Sequence, residues 1–199
     1  VYRFAWDSRS FYDIDLYHNG SAVKIKNGSV YCLTHMGVAA RVDARDGHLE
    51  WASAYPRMRL SWNLWQAVRR QGSPPLLTGN KAIFVPRDYS VVFALNSQDG
   101  TPAWTNPLTP SEEVAGLIGK RLIVSDKRNL AGLNTETGEL SWNTRFKTDI
   151  QVPPLLIGDR ILLKAEGRYL EMDPESGQRL MEHNLEKLQH AERLLAHNN

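Results

Sequence analysis

The chain has 199 residues, 42% hydrophobic and 23% charged, enough to bury one sizeable core and too apolar to be disordered. Its 24 Lys and Arg against 22 Asp and Glu leave a formal charge of +2, so no global field gathers nucleic acid and none is expected as a partner. No apolar run approaches the roughly 18 residues that span a bilayer, and the single cysteine, Cys32, excludes an internal disulfide and a Cys-rich zinc site. The sequence opens at Val1 with neither Met nor a basic-then-apolar leader, and it is read as mature or excised.

Taken in chain order, the predicted elements repeat. A short apolar stretch at residues 22–26 leads through a turn into Gly28-Ser-Val-Tyr-Cys-Leu33, and the unit ends in Asp43-Ala-Arg-Asp-Gly47-His-Leu-Glu-Trp51. The second unit runs from Pro74-Pro-Leu-Leu77 through Asn80-Lys-Ala-Ile-Phe-Val85 to Asn96-Ser-Gln-Asp-Gly100-Thr-Pro-Ala-Trp104. The third passes from residues 114–118 through Gly119-Lys-Arg-Leu-Ile-Val124 to Asn134-Thr-Glu-Thr-Gly138-Glu-Leu-Ser-Trp142. The fourth goes from Pro153-Pro-Leu-Leu-Ile157 through Gly158-Asp-Arg-Ile-Leu-Leu163 to Asp173-Pro-Glu-Ser-Gly177-Gln-Arg-Leu-Met181. The motif glycines lie 53, 38 and 39 residues apart, a period that marks a repeat architecture.

Each position of the motif has a physical reason. Its opening Asn or Asp can accept from the backbone two residues on, and Gly47, Gly100, Gly138 or Gly177 supplies the positive φ that closes a tight hairpin. Pro102 falls in the last strand of its unit, where a missing N–H places that strand at a sheet edge. The prediction is an all-β fold of four-stranded antiparallel units at about 21–56, 73–109, 110–148 and 149–185, with an insertion at 57–72 and a helical or frayed tail at 186–199.

Four-stranded sheets repeated about every forty residues are the signature of a β-propeller. The string Ala94-Leu-Asn-Ser-Gln-Asp-Gly-Thr-Pro-Ala-Trp104 resembles the tryptophan-docking repeat of the PQQ-like, or quinoprotein-type, propeller family, A-x-D/N-x-x-x-G-x-x-x-W. The resemblance spans about residues 21–185 and extends to the propeller lipoprotein of the bacterial outer-membrane barrel-assembly machine. It implies that Trp51, Trp104 and Trp142 pack between adjacent blades, with Met181 standing where a fourth Trp would be. It also implies rings of seven or eight blades, so the four units here are expected to belong to a longer propeller, with residues 1–6 finishing a strand of a preceding blade. Open end faces would then make the isolated chain self-associate.

Family members that oxidise alcohols or sugars resemble one another in a pair of adjacent bridged cysteines beneath the quinone, which Cys32 alone cannot form. The sequence also lacks H-E-x-x-H, G-x-S-x-G and the phosphate-binding G-x-x-x-x-G-K-[ST]. No catalytic residue, cofactor or metal ligand is assigned; His18, His35 and His48 are scattered, and His183, His190 and His197 recur at a spacing of seven, too wide for one metal on a helix. Asn19-Gly-Ser21 and Asn27-Gly-Ser29 fit a glycosylation sequon but are read as turns. The insertion carries Leu60, Leu64, Ala67 and Val68 at helical spacing, beside Arg57, Arg59, Trp62, Trp65, Arg69 and Arg70. Trp and Arg dominate binding hot spots, so these six are the candidate interaction residues, with capping of its own blade or lying on a membrane surface as alternative roles for the insertion. The expectation is a non-catalytic scaffold for a protein or peptide partner, or for the missing blades, in a periplasmic or extracellular bacterial protein. The alternative is a fragment of a pyrroloquinoline-quinone-dependent alcohol or sugar dehydrogenase.

Overall fold

The computed structural model describes residues 22–34, 37–56, 73–86, 91–107 and 113–183. The insertion with Arg57, Arg59, Trp62, Trp65, Arg69 and Arg70, the segment 1–6 and the tail 186–199 all lie outside them.

Among the described residues the chain forms four separate four-stranded sheets. The first holds β1 (Ala22–Lys26), β2 (Ser29–Leu33), β3 (Val38–Asp43) and β4 (Leu49–Ala54). The second holds β5 (Leu76–Thr78), β6 (Lys81–Phe84), β7 (Val92–Asn96) and β8 (Pro102–Asn106). The third holds β9 (Glu113–Ile118), β10 (Arg121–Ser125), β11 (Asn129–Asn134) and β12 (Leu140–Arg145). The fourth holds β13 (Val152–Ile157), β14 (Arg160–Ala165), β15 (Arg168–Met172) and β16 (Arg179–His183). Within each sheet the strands follow chain order and pair antiparallel, so Pro102 and the motif tryptophans lie on the edge strand. This is the all-β architecture of propeller blades.

Turn chemistry sets the hairpins. Asn27 and Gly28 take φ of 51° and 76°, the paired positive values of a two-residue hairpin turn, and Ser29 behind them is buried. In the motif, the amide of Gly47, Gly100, Gly138 or Gly177 donates to the carbonyl of the opening Asp or Asn at 2.8 to 3.0 Å, with the glycine at φ of 67° to 74°. The carboxylate or amide of Asp43, Asn96 and Asn134 accepts from the backbone two residues on, at 2.8 to 3.0 Å. Asp46, Asp99, Thr137 and Ser176, just before the glycine, each accept from the amide two residues beyond themselves and lock the far side of the turn.

Every sheet carries a β-bulge at the same place in its last strand pair, which leaves Glu50, Ala103, Ser141 or Leu180 without a cross-strand partner. The next residue is Trp51, Trp104, Trp142 or Met181. A bulge turns the side chain that follows it, and for the three tryptophans that is toward the next sheet.

Strand alternation gives the sheets apolar faces, and consecutive sheets stack through them. One buried cluster joins the first sheet to the second through Tyr31, Leu33 and Ala39 against Ala82, Phe84, Phe93 and Leu95. A second joins Ile83, Val92 and Ala94 to Leu122, Val124, Ala131 and Leu133. A third joins Ile123 and Leu130 to Ile161, Leu163, Leu170 and Met172. Among the described residues no such cluster joins the fourth sheet to the first.

Candidate functional site

Each joint between consecutive sheets is built by the same three ties. The indole Nε1 of Trp51 donates to the Ser97 carbonyl at 3.2 Å, that of Trp104 to Thr135 at 3.0 Å and that of Trp142 to Pro174 at 2.8 Å. These acceptors are in each case the second residue of the next motif. The indole then lies flat over the motif glycine: a Cβ at Gly100 would come within 2.7 Å of Trp51, and one at Gly138 or Gly177 within 2.3 Å of Trp104 or Trp142. Glycine is needed there both for its φ and for the space. Finally, the side chain two residues after each Trp donates to that glycine's carbonyl, from Ser53 at 2.5 Å, Asn106 at 2.6 Å and Thr144 at 2.7 Å.

The motif turn is itself held in place. The amides of Ser97 and Thr135 donate to the Asn80 and Lys120 carbonyls in the first hairpin of their own sheets, at 2.8 and 3.1 Å, which aims their carbonyls at the incoming indole. Charged pairs cross the joints too, with Lys81 on Glu136 and Arg121 on Glu175. Trp51 and Trp104 are buried, whereas Trp142, expected to be equally so, is only partly buried, packed against the third cluster. Arg41 and Ala94 sit opposite Trp51 and Trp104, whereas Gly132 sits opposite Trp142, and the indole lies against it, within 2.4 Å of where a Cβ would stand.

The sequence reading located the tryptophans and glycines but missed Ser53, Asn106 and Thr144. Their signal was present in the string W-x-[Ser/Asn/Thr], which occurs after each of the three docking tryptophans.

Other chemistry among the described residues is sparse. Side-chain donors of Arg45, Thr101 and Ser176 hold the carboxyls of Asp43, Asp99 and Asp173 below their ordinary value, Asp43 at about 2. Glu166 is lowered by the Lys147 amide and Glu182 by Arg168. Burial pushes the Cys32 thiol up. A cleft of about 200 Å³ between the first two sheets is lined by Lys26, Tyr31, Arg41, Lys81, Ser97 and Gln98. That is smaller than the roughly 300 Å³ at which ligand pockets begin. Arg41 is also committed to the Ser97 carbonyl at 2.8 Å and to Glu50, and Lys81 to Glu136. Among the described residues no cluster of His, Cys, Asp and Glu could hold a metal, and no helix is long and apolar enough to cross a membrane.

Against known proteins, no curated protein sequence matches the chain. Solved structures do. BamB from Moraxella catarrhalis is 17% identical with a TM-score of 0.60, over 82% of this chain and 51% of that one. The quinohemoprotein alcohol dehydrogenase of Comamonas testosteroni is 12% identical with a TM-score of 0.59, over 84% of this chain and 35% of that one. The computationally designed Ika4 protein is 10% identical with a TM-score of 0.57, over 81% of this chain and 95% of that one. At these identities the likeness shows the fold, and the chain spans about half the length of the Moraxella protein. A family profile, PQQ_2, described as outer membrane protein assembly factor BamB, matches residues 88–196. That match covers more than half of the sequence and three of its four motifs, and the chain belongs to this BamB-like family of PQQ-type β-propeller repeats.

Proposed function

We propose that the chain acts as a non-catalytic propeller scaffold that engages protein partners in the bacterial cell envelope, in the assembly of outer-membrane proteins that its family's description names. The observation that carries this reading is the use to which the carboxylates are put. The carboxylates of Asp43, Asp46, Asp99 and Asp173 accept from backbone amides of their own motif turns, and nearby donors draw Asp43, Asp99 and Asp173 below the ordinary carboxyl range. A general acid or base would instead be raised toward neutrality by burial or a like charge. With its motif carboxylates serving as turn locks, the array offers shape, apolar sheet faces and the Arg- and Trp-rich insertion, which is the vocabulary of protein contact.

Two measurements test it. Photocrosslinking from position 62 in living bacteria should trap envelope proteins, and Arg57→Glu with Trp65→Ala should abolish the adducts; unchanged adducts would remove the insertion from the interface. Thermal melting with pyrroloquinoline quinone and calcium addresses the dehydrogenase reading. A ligand at a hundredfold its Kd stabilises the folded form by about 2.7 kcal/mol. The scaffold reading expects no shift, and a saturable rise of several degrees would replace it with the enzyme.

A further inference from the structure

At each joint one sheet docks its tryptophan and the next receives it, and the first joint departs from the other two in its charges. In the second and third joints the first residue of the docking sheet's second strand, Lys81 or Arg121, pairs with the third residue of the receiving motif, Glu136 or Glu175. In the first joint those places hold Ser29 and Gln98, so neither charge of that pair is present. Cations stand close by all the same. Lys26 lies directly across from Ser29, and Arg41 lies across from Tyr31 where the other joints have Ala94 with Ile83 and Gly132 with Ile123. The cleft between the first two sheets opens among these residues, and none of the described residues that line it is acidic. Lys26 has no ion-pair partner among the described residues.

Donors outnumber acceptors in this cleft. The Ser97 carbonyl takes Arg41 Nη1 at 2.8 Å, Trp51 Nε1 at 3.2 Å and the Tyr31 hydroxyl at 3.4 Å, three donors on an oxygen with two lone pairs. Among the described residues the Thr135 and Pro174 carbonyls of the other joints each take a single side chain, the indole. The Tyr31 contact is the longest of the three and lies beyond the roughly 3.0 Å limit of an ordinary O–H···O bond. Tyr31 is 6% exposed, so its hydroxyl is a buried donor without a full-strength acceptor. Arg41 Nη2 has no partner among the described residues, since the ties of this side chain run from Nη1 to Ser97 and from Nε to Glu50. We propose that the cleft binds one carboxylate, of a free small acid or of an acidic side chain, which accepts from the Tyr31 hydroxyl and Arg41 Nη2 and lies beside the Lys26 ammonium. Glu50 offsets the charge of Arg41, so Lys26 supplies the net attraction and a single anion neutralises it. A volume of about 200 Å³ is too small for a cofactor and admits one such group. Each neighbouring joint closes with a carboxylate of its own at the place of Gln98, which favours that group over a tetrahedral anion.

The test titrates the full ¹⁵N-labelled chain, at constant ionic strength, with sodium acetate and with an acetylated and amidated triglutamate peptide, following the backbone amides of Asn27 and Gln98. Saturable shifts at both amides are expected, and the arm that saturates at the lower concentration names the source of the carboxylate. Gln98→Glu places in the chain the group that closes the other joints. It should weaken binding at least about tenfold while the Trp104 indole signal keeps its position. Lys26→Gln, a change on an exposed strand, should weaken binding severalfold, and Lys26→Arg should restore it. Shifts that do not saturate, an affinity unchanged in Gln98→Glu, or inorganic phosphate bound more tightly than either carboxylate would overturn the proposal. Should Gln98→Glu not fold, the Lys26 pair supplies the second reading, and equal affinities in Lys26→Gln and the natural chain would overturn it as well.

Discussion

The faces inside the array and the faces at its two ends are made from equivalent positions, yet they differ in opposite ways. Inside, every receiving face is four buried apolar residues and every docking face ends in a tryptophan. The receiving face of the first sheet keeps that composition, with Val30, Cys32, Ala40 and Val42, and exposes Val23, Ile25 and Leu49 beside them. The docking face of the fourth sheet does not. At the places held by Ile123 and Gly132 in the third sheet stand Leu162 and Glu171, next to Lys164, Tyr169 and His183, with Met181 for tryptophan. His183 pairs with Glu171 at 2.7 Å and the Lys164 ammonium lies 5.5 Å from the Tyr169 ring centre. The stack is therefore directional. It can be extended at the first sheet by the chemistry of its own joints, whereas the fourth sheet sets Lys164, Glu171 and His183 beside Leu162 and Met181 at the corresponding places.

The largest expected effect tests the interior joints. Trp104→Ala removes a buried indole, its bond to Thr135 and its cover over Gly138, and should cost about 3 to 5 kcal/mol in urea unfolding. A loss below about 1 kcal/mol would mean the indole does not bridge the blades. Next comes a glycine comparison. Gly28 and Gly138 share a φ near 75°, but the first faces open space and the second an indole at 2.3 Å. Gly28→Ala should cost about 1 kcal/mol from backbone strain alone, and Gly138→Ala should add about 1 to 3 kcal/mol of overpacking. Equal losses would show that conformation, and not close approach, selects the joint glycine.

Much of this was legible in the sequence. The Asp/Asn to Gly spacing fixed four turns, Pro102 placed the outer strand, and the recurrence of Trp51, Trp104 and Trp142 marked the joint positions. What could not be read was which group each indole meets. The partner is a backbone carbonyl of Ser97, Thr135 or Pro174, and a carbonyl leaves no mark on residue identity. The bulge was hidden for the same reason, because Glu50, Ala103 and Ser141 share no side-chain property. Trp142 was expected to be buried like the others and is only partly so, its indole lying against Gly132 one strand away, a contact set by register that no local pattern reports.

A smaller effect concerns the turns that carry the receiving glycines. Asp43 sits at about 2 in the folded chain against an ordinary 3.8, so its contribution to stability is present above 3.8 and is lost as pH falls through about 2. Asp99 and Asp173 shift in the same direction. Carboxyl NMR titration should place Asp43 lowest, and replacing Arg45 with Gln should return it toward the ordinary value. Titration of Asp43 near 3.8 in the unchanged chain would remove the Arg45 contact from the account of the first turn.

The smallest expected effect is the sharpest on the difference between the ends. Met181→Trp restores to the fourth sheet the residue that docks the other three. Position 181 is 53% exposed, its flanking Leu180 is 48% exposed, and Glu171 lies directly across the strand pair. An indole there has no described glycine or carbonyl to cover, so it gains none of the burial or hydrogen bonding that Trp104 has. The change should therefore stay within about 0.5 kcal/mol, as for surface substitutions generally. The measurement is a pair of urea melts on the natural chain and the variant, run at two protein concentrations. A stabilisation above about 1 kcal/mol would require a surface that buries the new ring. If that gain held at both concentrations, the surface would belong to this chain, and the fourth sheet's polar face would be a joint that lacks only its tryptophan.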